Sequence, residues 1–269
     1  DWTRTIHNMC EMTLAPSSEA IRELESHNIN NVRHWGRGVD AELFHPSKRS
    51  DVLRRAWDPT GAKKIVGFVG RLAAEKSVDR LAPLVGDPSI QLVIVGGGPE
   101  RDALEEALPG AVFTGPLSGE DLARAYASLD LFVHTGEFET FCQAIQEAQA
   151  SGVPTIGPRA GGPIDLIKHG ENGLLLEVPT FEAELPDAAR WVLDDARHAD
   201  LQRAARASVE NKTWAALGDQ LLGYYEEVLG SYERKVVGLF GREVAVPRWV
   251  PGPFTVKRKV RAARTGRSA

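Results

Sequence analysis

Through the middle of the chain, short apolar runs alternate with stretches whose apolar residues recur at helical spacing. Lys64-Ile65-Val66-Gly67-Phe68-Val69-Gly70, Gln91-Leu92-Val93-Ile94-Val95-Gly96, Ala111-Val112-Phe113-Thr114 and Leu131-Phe132-Val133-His134 predict four successive strands. Pro154-Thr155-Ile156 and Gly173-Leu174-Leu175-Leu176 predict two more. Helical patterns cover residues 77–84, 99–108, 120–128 and 141–150 between them. The strands are apolar throughout rather than alternating, so both faces of each are covered. This predicts an α/β fold, a Rossmann-like doubly wound parallel sheet.

The flanks read differently. Residues 1–40 suggest helix, strand, helix, strand, with Met12-Thr13-Leu14-Ala15 as a short strand and Val32-Arg33-His34-Trp35 as an edge strand. Pro16-Ser17-Ser18 supplies helix-start residues between them. These elements cannot build a domain, and the first residue is Asp1 rather than Met, so a truncated or processed chain is expected. Gly38-Val39-Asp40 and Phe44-His45-Pro46 mark a linker. Residues 181–229 are helical, with Trp191 on one helix and Trp214, Leu217, Leu221 and Tyr225 on another. After Glu243 acidic residues cease, while Lys257, Arg258, Lys259, Arg261, Arg264 and Arg267 gather near Trp249 and Phe254. The expected parts are thus 1–40, the remnant of an N-terminal acceptor domain; 41–230, the Rossmann-like domain with its helices; and 231–269, a basic tail. That tail is either solvated or a contact for anionic lipid headgroups.

Composition mainly removes options. In 269 residues, 42% hydrophobic and 26% charged content fit a soluble globular protein. A net charge of −5 argues against nucleic-acid binding. Cys10 and Cys142 are too far apart to form a metal-spaced group, which fits reduced thiols in a cytosolic protein. No apolar run approaches the roughly 18 residues of a membrane span.

Candidate chemistry lies at the ends of the strands, where ligands bind in such sheets. Glu139 falls at a strand-to-helix corner, with Glu147 eight positions on, about two turns into the helix. A carboxylate accepts hydrogen bonds from vicinal hydroxyls, so sugars and riboses suit both. The amides of Thr140, Phe141 and Cys142, at the expected helix start, suit a phosphate. Arg71 and Lys76, after Gly70, are the cations available to face it, a planar fork and a mobile point charge. Two exposed surface cations would look the same in sequence. Gly96-Gly97-Gly98-Pro99 opens a helix and suits a phosphate cradle or simply a tight turn; it lacks the spaced dinucleotide fingerprint. Glu147 fits a solvated helix position equally well.

Taken in order, Gly70-Arg71-Leu72 with Lys76, Val95-Gly96-Gly97-Gly98-Pro99, Phe113-Thr114-Gly115, Glu139 and Glu147, Ala150-Ser151-Gly152-Val153-Pro154, and Gly161-Gly162 before Asn172-Gly173-Leu174-Leu175 form a series. It resembles the retaining GT-B glycosyltransferases of the glycogen-synthase and phosphatidylinositol-mannosyltransferase type, over roughly residues 10–230. Glu139-Thr140-Phe141-Cys142-Gln143, in place of the commoner Glu-Gly-Phe-Gly, is similar to actinobacterial GDP-mannose-dependent α-mannosyltransferases acting on glycolipids. The resemblance implies that Arg71 and Lys76 hold the donor diphosphate, that Glu139 contacts the transferred sugar, and that Glu147 takes the ribose hydroxyls. It implies that the Phe113-Thr114-Gly115 loop meets the base largely through its backbone, with Gly70 and Gly97 close by. It further implies transfer without a metal ion or cofactor, a lipid-linked acceptor, and a place in the cytoplasm, at the inner face of the plasma membrane if the tail binds lipid. The family's glycine-rich loop and cleft histidine precede the point where this sequence opens, so the isolated chain is expected to be inactive. His7 and His134 are given no role. A UDP-sugar donor and a non-catalytic nucleotide-sugar binder are the competing expectations; a dehydrogenase is disfavoured by the glycine spacing.

Overall fold

The computed structural model describes residues 2–240. At the start stand α1 (Trp2–Met9), β1 (Thr13–Ala15), α2 (Ser18–Ser26) and β2 (Val32–His34). β1 and β2 pair in parallel as a separate two-stranded sheet, and α2 covers it through a small core of Ala15, Ile29 and Val32. The Ser17 hydroxyl caps α2 by accepting from the Ala20 amide at 3.2 Å.

The main sheet follows α3 (Asp51–Trp57). In chain order its parts are β3 (Lys64–Val69), β4 (Ile90–Val95), α4 (Arg101–Ala107), β5 (Val112–Gly115), α5 (Gly119–Ala127), β6 (Leu131–Val133), α6 (Gln143–Ala150), β7 (Thr155–Pro158), α7 (Pro163–Leu166) and β8 (Gly173–Leu176). All neighbours are parallel, in the order β5-β4-β3-β6-β7-β8. The chain steps outward from β3 through β4 to β5, then returns to place β6 against β3 and leaves the other way. The switch point therefore lies between the carboxyl ends of β3 and β6, where an open α/β sheet has its crevice. The predicted Rossmann-like α/β fold is the observed one.

Two cores sandwich the sheet. On one face Phe68, Ile94 and Val133 pack with the segment Val78–Leu84 and with α8 (Phe181–Leu193). On the other Ile65, Val93 and Phe132 pack with Tyr126 of α5 and Ile145 of α6. Each fully buried side chain of this size stabilises the fold by about 1.5–3 kcal/mol. α9 (Asp195–Ala207) and α10 (Trp214–Phe240) complete the described residues. The described residues fall into two units, one ending at Tyr225 and the other beginning at Glu226. Within the first, the Trp35 indole donates to the Leu217 carbonyl at 3.0 Å and the Tyr224 hydroxyl to the His34 carbonyl at 2.7 Å, fastening the start of α10 to the chain after β2.

Several local expectations change. The segment 77–84 is 3-10 helix rather than α, with Pro83 inside it and Ser77 left-handed at its start. The helix expected from Pro99 begins at Arg101. α3 lies between the expected linker and β3, where no element was expected, held by the Ser50 hydroxyl cap on the Leu53 amide at 3.3 Å. Of the basic tail expected at 231–269, residues 231–240 belong to α10 and 241–269 lie outside the described residues.

Candidate functional site

β3 ends in Gly70-Arg71-Leu72, and this loop lies directly against Gly96-Gly97-Gly98 after β4. The Gly70 amide donates to the Val95 carbonyl at 3.0 Å and the Leu72 amide to the Gly97 carbonyl at 2.9 Å. A Cβ on Gly96 would collide with the Gly70 carbonyl oxygen, and one on Gly98 with that of Leu72, while both glycines hold positive φ. Two of the three glycines are thus required by loop-on-loop packing, and Gly97 between them is left facing a cavity.

β6 brings the opposite wall. Beyond it, the Thr135 hydroxyl donates to the Lys76 carbonyl at 2.6 Å, and Arg80 donates to the Thr135 carbonyl at 3.0 Å and pairs with Glu137 at 3.4 Å. These contacts press the Thr135-Gly136 loop onto the Glu75-Lys76 turn. The backbone then runs to Glu139, whose carbonyl accepts from the Gly162 amide at 2.6 Å. Gly161 and Gly162 leave no room for a Cβ, because the backbone of Glu139 and Phe141 lies against them. The Glu139 side chain is thereby aimed back across the switch point.

A cavity of about 340 Å³ opens there, lined by Gly70, Arg71, Lys76, His134, Glu139 and Cys142 among others. A second, of about 250 Å³, shares Val69, Gly70 and Arg71 with the first and extends to Gly97, Pro116 and Leu117. Together they make one cleft along the carboxyl edge of the sheet. Its charges are mutually paired: the Lys76 ammonium bonds to the Glu139 carboxylate, and exposed Arg71 pairs with Glu75. An entering anion must exchange these partners.

Of the residues expected at the donor site, Gly70, Arg71, Lys76, Glu139 and Cys142 line the first cavity and Gly97 the second. Other positions need correction. α6 starts at Gln143, not Phe141, because Cys142 adopts a left-handed backbone with φ 73° and stands outside the helix. Its first amides are those of Gln143 and Ala144, both in the cavity wall; Phe141 is buried in the core and Thr140 faces solvent. The Phe113 ring lies on the sheet face opposite the cleft, under the Arg101 guanidinium at 5.9 Å, and the Thr114 hydroxyl turns to the Gly115 carbonyl at 2.8 Å. Strand alternation puts Phe113 on that face, Thr114 spends its hydroxyl on the neighbouring carbonyl, and Pro116 and Leu117 form that part of the wall. Glu147 sits one turn beyond the wall, half-buried beside the buried Tyr126 hydroxyl. Burial raises its pKa, and the Tyr126 hydroxyl works weakly the other way.

Two residues were missed. Arg80 holds the loop that carries the site. His134, passed over as a packed or loop residue, is buried in the cavity wall with Nε2 at 3.5 Å from Glu139. Burial above all pushes its pKa down to about 4, so the imidazole is neutral at ordinary pH. Its place immediately after the strand beside the switch point was the signal available. His134, Glu139 and Cys142 also place their ligand atoms within 4.8 Å of one another, a donor set of the kind zinc takes. The Lys76 ammonium occupies the same Glu139 oxygen, and burial holds the Cys142 thiol well above its usual pKa. A metal would have to displace the first and deprotonate the second.

A family model described as "Glycosyl transferases group 1" matches residues 50–208. A GDP-mannose-dependent alpha-mannosyltransferase of Corynebacterium glutamicum is 60% identical over 263 residues, 97% of this chain and 64% of that protein. One from Mycolicibacterium smegmatis is 54% identical, over 85% of this chain and 60% of its own length. This chain thus spans somewhat under two thirds of these curated relatives. The solved sucrose-phosphate synthase from Thermosynechococcus elongatus superposes with a TM-score of 0.73 at 24% identity, covering 86% of this chain and 63% of that one. At that identity the likeness speaks for the fold alone.

Proposed function

This chain belongs to the group 1 glycosyltransferases, and from that premise we propose that it forms the donor side of a GDP-mannose-dependent enzyme that transfers mannose with retention to a glycolipid. The identity with mannosyltransferases named for that donor supports the choice of GDP-mannose. The observation that carries the site is the meeting of Arg71 and Lys76 with Glu139 across the switch-point cavity.

In this reading the diphosphate lies over Gly70 and the first amides of α6, between Arg71 and Lys76. The mannose points to Glu139. The nucleoside runs toward Gly97 and Leu117, with Glu147 on the ribose side. Lys76 leaves Glu139 for the diphosphate, and Glu139 turns its freed oxygens to sugar hydroxyls. The exchange is balanced, because this mostly buried pair parts only as both groups gain new partners. It leaves each group with a charge-assisted partner. As the glycosidic bond to the donor breaks, negative charge grows on the departing diphosphate, where two cations and a helix terminus stand ready. Catalysis is then positioning and electrostatic stabilisation, with no general base among these residues. No metal or cofactor is needed for this scheme.

The acceptor is proposed to be lipid-linked, with the chain working at the cytoplasmic face of a membrane. Among the described residues no helix is long and apolar enough to cross one. A contact between the tail and anionic lipid concerns residues outside those described.

A thermal-melting panel with GDP, UDP and ADP, each alone and as mannose or glucose conjugates, tests the donor. A ligand at a hundred times its Kd stabilises the fold by about 2.7 kcal/mol. For a protein of this size that raises Tm by roughly 5–10 °C, and GDP-mannose is expected to do so. A response to UDP-sugars only would replace the mannose assignment, and no response to any nucleotide would remove the donor site.

A further inference from the structure

We propose that His134 is a specificity-determining residue of the donor site, reading a hydroxyl of the transferred hexose through a neutral imidazole. Three observations meet on it. The ring is buried in the wall of the larger cavity, and neither nitrogen meets the distance and angle of a full hydrogen bond, the Gly136 backbone offering at best a weak one. A buried polar group left in that state costs about 1–3 kcal/mol, so a side chain retained there has a partner still to come. The Glu139 carboxylate lies 3.5 Å from Nε2 without bonding to it, and the Gly136 backbone also approaches the ring, so one hydroxyl placed at the cavity mouth reaches both His134 and Glu139.

The chemistry of the surroundings selects the partner. Glu139 only accepts hydrogen bonds and Lys76 only donates them. The Gln143 amide is engaged with the Gly38 carbonyl at 3.1 Å and the Gln146 side chain at 3.2 Å. A neutral imidazole offers one donor and one acceptor, and a hydroxyl is both. A diphosphate oxygen, which only accepts, matches it poorly, and burial opposes the protonated ring that would suit it better. His134 therefore belongs to the sugar end of the cleft, with Glu139, and not to the phosphate end with Arg71.

The inference rests on the donor reading above, and its test separates the two. Calorimetric titrations with GDP and with GDP-mannose give Kd(GDP)/Kd(GDP-mannose) for the wild-type chain, His134→Phe and His134→Asn. The ratio is expected to fall about tenfold in H134F, the worth of one or two neutral hydrogen bonds, and to recover in part in H134N, which keeps a donor and an acceptor. An unchanged ratio in H134F, with both ligands still bound, overturns the role of His134 and leaves the donor site standing. Failure of the wild-type chain to bind either ligand overturns both. Should H134F not fold, the imidazole nitrogen resonances of His134 in the wild-type chain decide: they shift with GDP-mannose and not with GDP, and equal shifts with both contradict the proposal.

Discussion

Lys76→Ala is expected to weaken GDP-mannose binding at least tenfold while leaving the fold intact. A hydrogen bond to a charged group contributes about 1.5–3 kcal/mol, or roughly ten- to a hundredfold in Kd. Against this, the variant spares the cost of parting Lys76 from Glu139. That pair is 23% and 17% exposed, so the saving exceeds that of a surface pair and draws the loss toward the low end of this range. The variant also leaves the Glu139 carboxylate uncompensated beside the diphosphate, and this repulsion offsets the saving. Arg71 is 63% exposed, where solvent and salt screen its attraction for the diphosphate, so Arg71→Ala should cost less. Titration calorimetry at constant ionic strength measures both. Binding by K76A within twofold of the wild type would contradict the assignment of the diphosphate to this corner.

Asp130→Ala should be the most damaging substitution for stability. The Asp130 carboxylate is almost wholly buried at the entrance to β6, where it pairs with Arg49 at 3.1 Å and Arg54 at 3.0 Å and accepts from the Ile65 amide at 2.7 Å. Arg54 continues to the Ser128 carbonyl at 2.7 Å, and the Asp130 carbonyl meets the His198 ring at 2.7 Å. One carboxylate thus ties α3, β3 and the start of β6 together, and β3 beside β6 is the switch point itself. Breaking a buried pair costs about 3–5 kcal/mol. Arg49 is 38% exposed and can rehydrate, so about 3 kcal/mol is expected. That corresponds to a fall in Tm of roughly 6–12 °C. A change under 2 °C would mean that the arginines find other partners and that β3 and β6 hold without this link.

Most of the sheet was legible because its strands carry apolar residues on both faces. The positions of β3 to β8 follow the apolar runs to within a residue or two. Periodicity served less well where backbone conformation, not burial, decides. The segment 77–84 has helical spacing, yet Pro83 and left-handed Ser77 make it 3-10. Cys142 is the sharper case. It stands where the commoner Glu-Gly-Phe-Gly pattern has its second glycine, and its φ of 73° is one that glycine adopts freely. The pattern was visible in sequence, but the left-handed turn behind it was not, so α6 was started two residues early. The site was legible in its charges, since Arg71, Lys76 and Glu139 carry their chemistry in their identity. His134 was not, because a lone histidine after a strand is usually packing. Only the order of the strands places it at the crevice.

In the proposed binding mode the two acids divide one sugar nucleotide between them, mannose at Glu139 and ribose at Glu147. Titrating GDP and GDP-mannose into Glu139→Ala and Glu147→Ala tests it most directly. E147A is expected to weaken both ligands in the same proportion, whereas E139A should lower the preference for GDP-mannose over GDP. If the two variants change the two affinities alike, the division is wrong and the donor does not lie along the cleft in this direction.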